Sequence, residues 1–299
     1  MKHLLLSSLL CLNLAAADKM VVKLTGYRYD VNIINREVLV PAGLPADVST
    51  PWCVPGEYHK YPLVYIGELL KGIPDEALWS NEANIGAVRE YVNNGGIVIL
   101  SGGAVNGLAG EGRNLEKIRE LTGFVGTTRL NREKCEGFQF TSGDKLLPWQ
   151  DGANDIAIKL TSAEVLGTFV ADGKKHPGAT VNRLGKGKVF WISPLFGRLR
   201  DDYRKNNKSL GSADDEGRFI ITPEGESLEE LRKFYLRLFL EAPGLKKAME
   251  SAELPKWETR PLGPKGNLVY SQTEFRNRPE FREPPRRSPG LALYGGGKQ

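Results

Sequence analysis

The sequence predicts an α/β domain: a mostly parallel, flavodoxin-like sheet flanked by helices, with an antiparallel meander in the second half and a flexible C-terminal tail. Three observations predict it. Short, purely apolar runs at residues 63–66 and 97–100 read as strands buried on both faces. Between them lies an amphipathic helix, with Ile85, Val88 and Val92 on one face and Ala87 and Tyr91 beside them. In the second half, residues 165–170, 179–183 and 189–193 read as strands joined by Asp172-Gly173 and Gly185-Lys186-Gly187 turns. Alternating short apolar strands and helices argue for a parallel sheet covered by helices.

The first residues have two readings. Lys2 and His3 give a positive start, residues 4–14 an apolar run, and Ala15-Ala16-Ala17 a small-residue cleavage site before Asp18. That is the layout of a secretory signal peptide over residues 1–17. The run is too short to span a bilayer, and Cys11 lacks the small residues that precede a lipoprotein cysteine. The expected product is exported to the periplasm or beyond the cell and carries no membrane span. Alternatively, residues 2–8 form the first strand and residues 12–24 the first helix, since Leu12, Ala16, Met20 and Leu24 recur at steps of four.

The rest follows in order. Residues 29–34 read as a strand, and residues 41–61, rich in Pro, Gly and polar groups, as a loop. Ser80 or Asn81 caps the amphipathic helix, and Asn94-Gly95-Gly96 stops it. Ser101-Gly102-Gly103 turns out of the next strand. Asn114 caps a helix carrying Leu115, Ile118 and Leu121, closed by Gly123. Residues 198–218 are charged and loop-like. Ser227 with Glu230 forms a capping box opening a helix that carries Leu228, Leu231, Tyr235, Leu238 and Phe239 and ends at Pro243-Gly244. Beyond about Glu253 periodicity is lost and Pro, Arg and Gly dominate. The expected organisation is a signal peptide over 1–17, one α/β domain over 18–250 and a tail over 251–299.

Composition narrows the function. The chain of 299 residues has 41 basic and 36 acidic side chains, interleaved almost everywhere, so a nucleic-acid interface is not expected. Three histidines and no CxxC spacing leave no metal site to expect. Gly185-Lys186-Gly187-Lys188 lacks the spacing of a phosphate loop, so no cofactor is expected. After cleavage two cysteines remain, Cys53 and Cys135, as one disulfide or two buried thiols.

In parallel sheets ligands bind beyond the carboxyl ends of the strands. That edge carries Glu68, Ser101, Gly102, Gly103, Asn106 and Ser193; His59 from the preceding loop completes the candidate pocket. Cys53 and His59, six apart, are a candidate thiolate pair, although a structural cysteine near a surface histidine is the commoner arrangement.

Three segments carry a resemblance: YPLVYIGE (61–68), REYVNNGGIVILSGG (89–103) and LGTFVADGKKHPGATVNRLGKGKVFWIS (166–193). Together they resemble a class I glutamine amidotransferase-like domain, close to the branch that serves as the trimerisation domain of some β-galactosidases. The resemblance covers roughly residues 20–243. It implies a cysteine nucleophile in the turn after a strand, where this chain has Ser101-Gly102-Gly103-Ala104. It also implies a His-Pro-Glu base after the last strand, where this chain reads Ser193-Pro194-Leu195. With nucleophile and base both absent, the resemblance implies a non-catalytic chain, an interaction or carbohydrate-associated module that self-associates or binds polysaccharide. The alternative is a hydrolase acting on a sugar or amide through Glu68 and the 41–61 loop. A third possibility is an anionic-polymer binder working through the tail arginines.

Overall fold

A computed structural model of the chain describes residues 22–26, 28–44, 46–49, 55–67, 78–79, 81–108, 113–114, 116–148, 155–194, 211–213, 219–221 and 223–246. The chain opens with β1 (Val22–Thr25) and helix α1 (Arg28–Ile34), which widens into a π turn over Asn35–Leu39. Next come β2 (Ala46–Ser49), a 3-10 turn (Pro55–Lys60), β3 (Leu63–Ile66), α2 (Glu82–Asn93) and β4 (Ile97–Ser101). A 3-10 helix (Gly102–Leu108) leads to β5 (Arg113–Asn114), short helix α3 (Arg119–Thr122) and β6 (Gly126–Arg129). Then follow β7 (Cys135–Phe140), β8 (Leu146–Leu147), β9 (Asp155–Ala157), β10 (Glu164–Ala171), β11 (Lys174–Leu184) and β12 (Gly187–Ile192). The hairpin β13 (Gly211–Ala213) and β14 (Phe219–Ile221) precedes the long helix α4 (Pro223–Phe239).

Nine strands form one sheet in the order β2-β1-β3-β4-β12-β11-β10-β7-β8. The first five are parallel to their neighbours and the rest are antiparallel. Side chains alternate across the strands, so each central strand feeds two cores. Leu63, Tyr65, Ile97, Ile99, Phe190 and Ile192 pack beneath α1 and α4. Val64, Ile66, Val98, Leu100, Val189 and Trp191 pack beneath α2 and α3. The result is the helix–sheet–helix sandwich that the apolar runs imply. Among the described residues no helix is long and apolar enough to cross a membrane.

Helix α2 behaves as its sequence demands. Asn81 Oδ1 accepts the Ala83 N–H at 2.9 Å, and Gly95 turns out at φ +108°. The Asp172-Gly173 turn has positive φ at both residues, as a tight hairpin with matching twist requires.

Several sequence expectations are corrected. Residues 29–34 belong to helix α1, because Val31, Ile34 and Val38 recur at helical spacing and are all driven into the core. The alternative first helix over 12–24 cannot run to its end, since Val22–Thr25 is a strand between β2 and β3. β2 lies inside the stretch read as loop. Asn114 sits in β5 instead of capping a helix. Ser227 is buried inside α4, which starts at Pro223, where the fixed φ of proline suits a first turn. The antiparallel meander joins the parallel strands at the β4 edge, through β12. The tail beyond Glu253 lies outside the described residues.

Close packing sets one stability contrast. A Cβ on Gly187 would lie 2.2 Å from Gly96 O and 2.3 Å from Val92 O, whereas a Cβ on Gly86, mid-helix in α2, meets nothing within 4 Å. Gly187→Ala is expected to destabilise the fold by about 1–3 kcal/mol through overpacking. Gly86→Ala is expected to stabilise it by about 0.5–1 kcal/mol. Urea denaturation of the two variants checks both signs.

Candidate functional site

Connections leave β1 toward β2 on one side and β3 toward β4 on the other. The carboxyl ends of β1 and β3 are therefore the switch point, where open α/β sheets place their ligands. Among the described residues the backbones at that point pack closely. The Gly67 N–H donates to Thr25 O at 2.8 Å. A Cβ on Gly26, which has φ +122°, would lie 3.0 Å from Gly67 N, and one on Gly67 would lie 2.8 Å from Asp30 Oδ2. Two glycine backbones touch, and the Asp30 carboxylate, delivered by α1, seals the gap between them.

Asp30 is 4% exposed. It accepts a hydrogen bond of 3.0 Å from the Tyr65 hydroxyl. Tyr65 meets the ring of Tyr235 on α4 edge-on at 6.3 Å, and Tyr235 donates to Pro194 O at 3.2 Å. Burial pushes the Tyr65 hydroxyl well above its ordinary pKa; the charge of Asp30 and the neighbouring Tyr235 add to the rise. Burial and then Asp30 do the same to Tyr235. Ser101 Oγ stands beside Tyr65 and opposes that rise, yet makes no hydrogen bond of good geometry to any described residue.

The start of the turn after β4 is also closely packed. A Cβ on Gly102 would lie 2.7 Å from Ser193 O and 3.0 Å from Ser193 Cα, so the chain leaving β4 rests against the chain leaving β12. Trp79 Nε1 donates to Ala104 O at 2.7 Å and pins the following 3-10 helix. Ser101 and Ser193 are fully buried, as is Ala104.

Of the sequence candidates, Ser101, Gly102, Gly103 and Ser193 come together at this edge. Asn106 falls in the same 3-10 helix, with a side chain outside the description. Glu68 and Cys53 lie outside the described residues. His59 sits at the opposite edge, in the 3-10 turn before β3, with Nδ1 2.8 Å from Gly56 O. The strand between, at roughly 3.3 Å per residue, keeps it about 13 Å from the carboxyl edge. His59 and Ser101 do not converge, because the strand that follows the 41–61 loop carries the chain across the whole sheet. Cys135 is a free, half-buried thiol whose Sγ lies 3.8 Å from Gly137 O. Burial pushes its pKa up, which disfavours the thiolate.

Two features escaped the sequence. Asp30 was hidden within residues read as a strand; the glycines following β1 and β3, with an acid one helical turn beyond Gly26, were the available signal. The second is an open cleft of about 470 Å³ at the amino edge, lined by Pro55, His59, Tyr61, Glu90, Tyr91 and Pro243 among others.

No family model matches the chain, and no curated protein matches it. Solved structures do. A β-galactosidase from Rahnella sp. R3 is 15% identical over 63% of this chain and 31% of its own, with a TM-score of 0.43. A cytoplasmic protein from Salmonella typhimurium LT2 is 12% identical over 75% of this chain and 99% of its own, with a TM-score of 0.45. A ThuA-like protein from Bacteroides uniformis is 11% identical over 59% of this chain and 81% of its own, with a TM-score of 0.38. The chain spans 29–31% of the length of the first two β-galactosidases that it matches.

The Asp30–Tyr65 pair sets a pH-dependent expectation. Tyr65→Phe removes a donor from a buried carboxylate and is expected to cost about 1–3 kcal/mol. The raised tyrosine pKa also fixes a sign: the folded state favours the protonated hydroxyl. Its stabilisation is complete below about pH 10 and is lost as pH climbs above that value. Tyr65→Phe is expected to reduce the alkaline loss of stability by up to about 1.4 kcal/mol per pH unit. Urea denaturation from pH 8 to 11 measures both effects.

Proposed function

We propose that this chain is an exported, non-catalytic module of the glutamine amidotransferase-like type, spanning residues 18–250 and serving to bind a polysaccharide or another copy of itself. The observation that supports it most is the turn after β4. A nucleophile needs an exposed, strained elbow with a base beside it. Ser101 is instead fully buried, and Gly102 lies against the Ser193 backbone. The resemblance over roughly residues 20–243 supports the family reading, and the residues at its two motif positions support the loss of chemistry. The charge, apolar run and alanines of residues 1–17 support export.

Two experiments test the reading. Mass spectrometry of the product expressed with its leader is expected to find Asp18 at the amino terminus; an intact Met1 ends the export proposal. The full chain is then incubated with glutamine and with a panel of p-nitrophenyl glycosides, and sedimented with cellulose, xylan and peptidoglycan. The expected outcome is no product above the uncatalysed rate, together with co-sedimentation or a concentration-dependent rise in mass. Turnover that Glu68→Gln abolishes would replace this reading with a hydrolase.

A further inference from the structure

Helix α2 carries two stripes. Ile85, Val88 and Val92 face the core. Ala87, Glu90, Tyr91 and Asn94 follow at helical spacing along the side that lines the amino-edge cleft. Pro55 and Pro62, on either side of the 3-10 turn's end, and Pro243, just beyond α4, supply further walls. Segments far apart in the chain thus meet around a cleft of about 470 Å³. Small-molecule sites span roughly 300–1,000 Å³ and combine apolar walls with a few polar groups.

These walls are fixed before any ligand arrives. The Tyr61 hydroxyl donates to Asp47, and the Tyr91 hydroxyl donates to Tyr61 O at 3.0 Å. Both hydroxyls are therefore committed, and the tyrosines offer the cleft ring carbon. A Cβ on Gly96 would lie 2.3 Å from Tyr91 Cζ, so the Tyr91 ring is held against the backbone. Side chains already held in place lose little entropy when a ligand docks.

The polar groups are mostly acceptors. Glu90 and Asn94 are exposed, and among the described residues neither side chain has a hydrogen-bond or ion-pair partner. The His59 Nδ1–H donates to Gly56 O at 2.8 Å, which leaves Nε2 an acceptor. A carboxylate only accepts, and the amide adds one acceptor and its donor hydrogens. This set suits a ligand rich in O–H groups. Glu90 and the carboxyl end of α2 disfavour an acidic one. Lys186, whose Cβ lies 3.8 Å from a Cβ placed on Gly95, offsets part of that charge, so a full cation is not required either.

We infer that the amino-edge cleft is a subsite for a neutral pyranose of a glycan, its C–H face against Tyr61 and the prolines and its hydroxyls donating to Glu90 and Asn94. The inference rests on the polysaccharide half of the proposed function and gives it a place on the fold. The cleft is open, so the sugars of a longer glycan continue beyond it.

Saturation-transfer NMR on the full chain tests this. The probes are xylohexaose, cellohexaose, mannohexaose and chitohexaose, with trigalacturonate as the acidic comparison. Transfer to the ring C–H protons of at least one neutral probe is expected. Glu90→Gln and Asn94→Ala should each weaken its titrated affinity about two- to tenfold, as loss of one hydrogen bond allows. Both side chains are exposed, so the thermal midpoint should not move. Ala87→Trp, which fills the cleft from the helix side, should abolish the transfer. Neutral binding that all three variants leave unchanged overturns the subsite but leaves glycan binding elsewhere on the surface standing. Binding of trigalacturonate alone overturns the neutral-sugar assignment. Absence of transfer to every probe overturns the subsite and the polysaccharide half of the proposed function together, leaving self-association.

Discussion

β12 is hydrogen-bonded on both sides, parallel to β4 and antiparallel to β11, so it joins two half-sheets that obey different connection rules. Parallel neighbours need long crossovers; antiparallel ones need only a hairpin. The β11–β12 hairpin therefore joins the antiparallel strands to the parallel group on its β4 side. Phe190 and Ile192 extend one core across the join, and Val189 and Trp191 extend the other. The hairpin also ends helix α2. Lys186 N–H donates to Asn93 O at 3.1 Å, and Lys188 N–H to Gly96 O at 3.3 Å, so terminal carbonyls of α2 and its exit turn find partners in a distant strand turn. Gly185 and Gly187 have no room for a Cβ beneath that helix end, and so the two halves are held at backbone contact.

At the carboxyl edge, too, the described backbones meet at glycines. Gly26 meets Gly67, and Gly102 meets Ser193. Asp30 fills what remains. A buried carboxylate is costly unless it is hydrogen-bonded, and replacing a buried charge by apolar groups is often neutral or stabilising. Asp30 is thus explained by position more than by stability. Its contact with Tyr65 fixes α1 over β3, and Tyr235 extends the same cluster to α4. One acid orients both helices of that face against the mouth of the sheet.

The sequence disclosed the elements whose local and long-range demands agree. β3 and β4 are apolar on both faces because both faces are covered, and α2 has a cap, an apolar stripe and a glycine stop. Disagreement hid the rest. Residues 29–34 favour a strand locally, but Val31, Ile33 and Ile34 pack into the core from a helix. β2 is short, lies at the sheet edge and has only Ala46 and Val48 apolar, so no apolar run marks it. The candidate site failed similarly. Ser101 and Ser193 were within reach because both end neighbouring strands. His59 was grouped with them from proximity in the chain to β3, but a residue before a strand and a residue after it stand on opposite edges. Asp30 could not be singled out while its helix was read as a strand.

That distinction between edges bears on what this surface can do. In a parallel sheet the carboxyl edge gathers helix N-termini, whose free N–H groups suit anions and oxyanions, and reactions of acyl and phosphoryl groups exploit them. The amino edge gathers helix C-termini, with the opposite polarity. Here the first edge is packed with glycine contacts and a buried carboxylate, which repels the anions that such an edge attracts. An open cleft lies at the second, beside the carboxyl end of α2 and Glu90. A surface of that polarity favours a cation over an anion. The polarity of the two edges is thus set by which ends of the helices each one gathers.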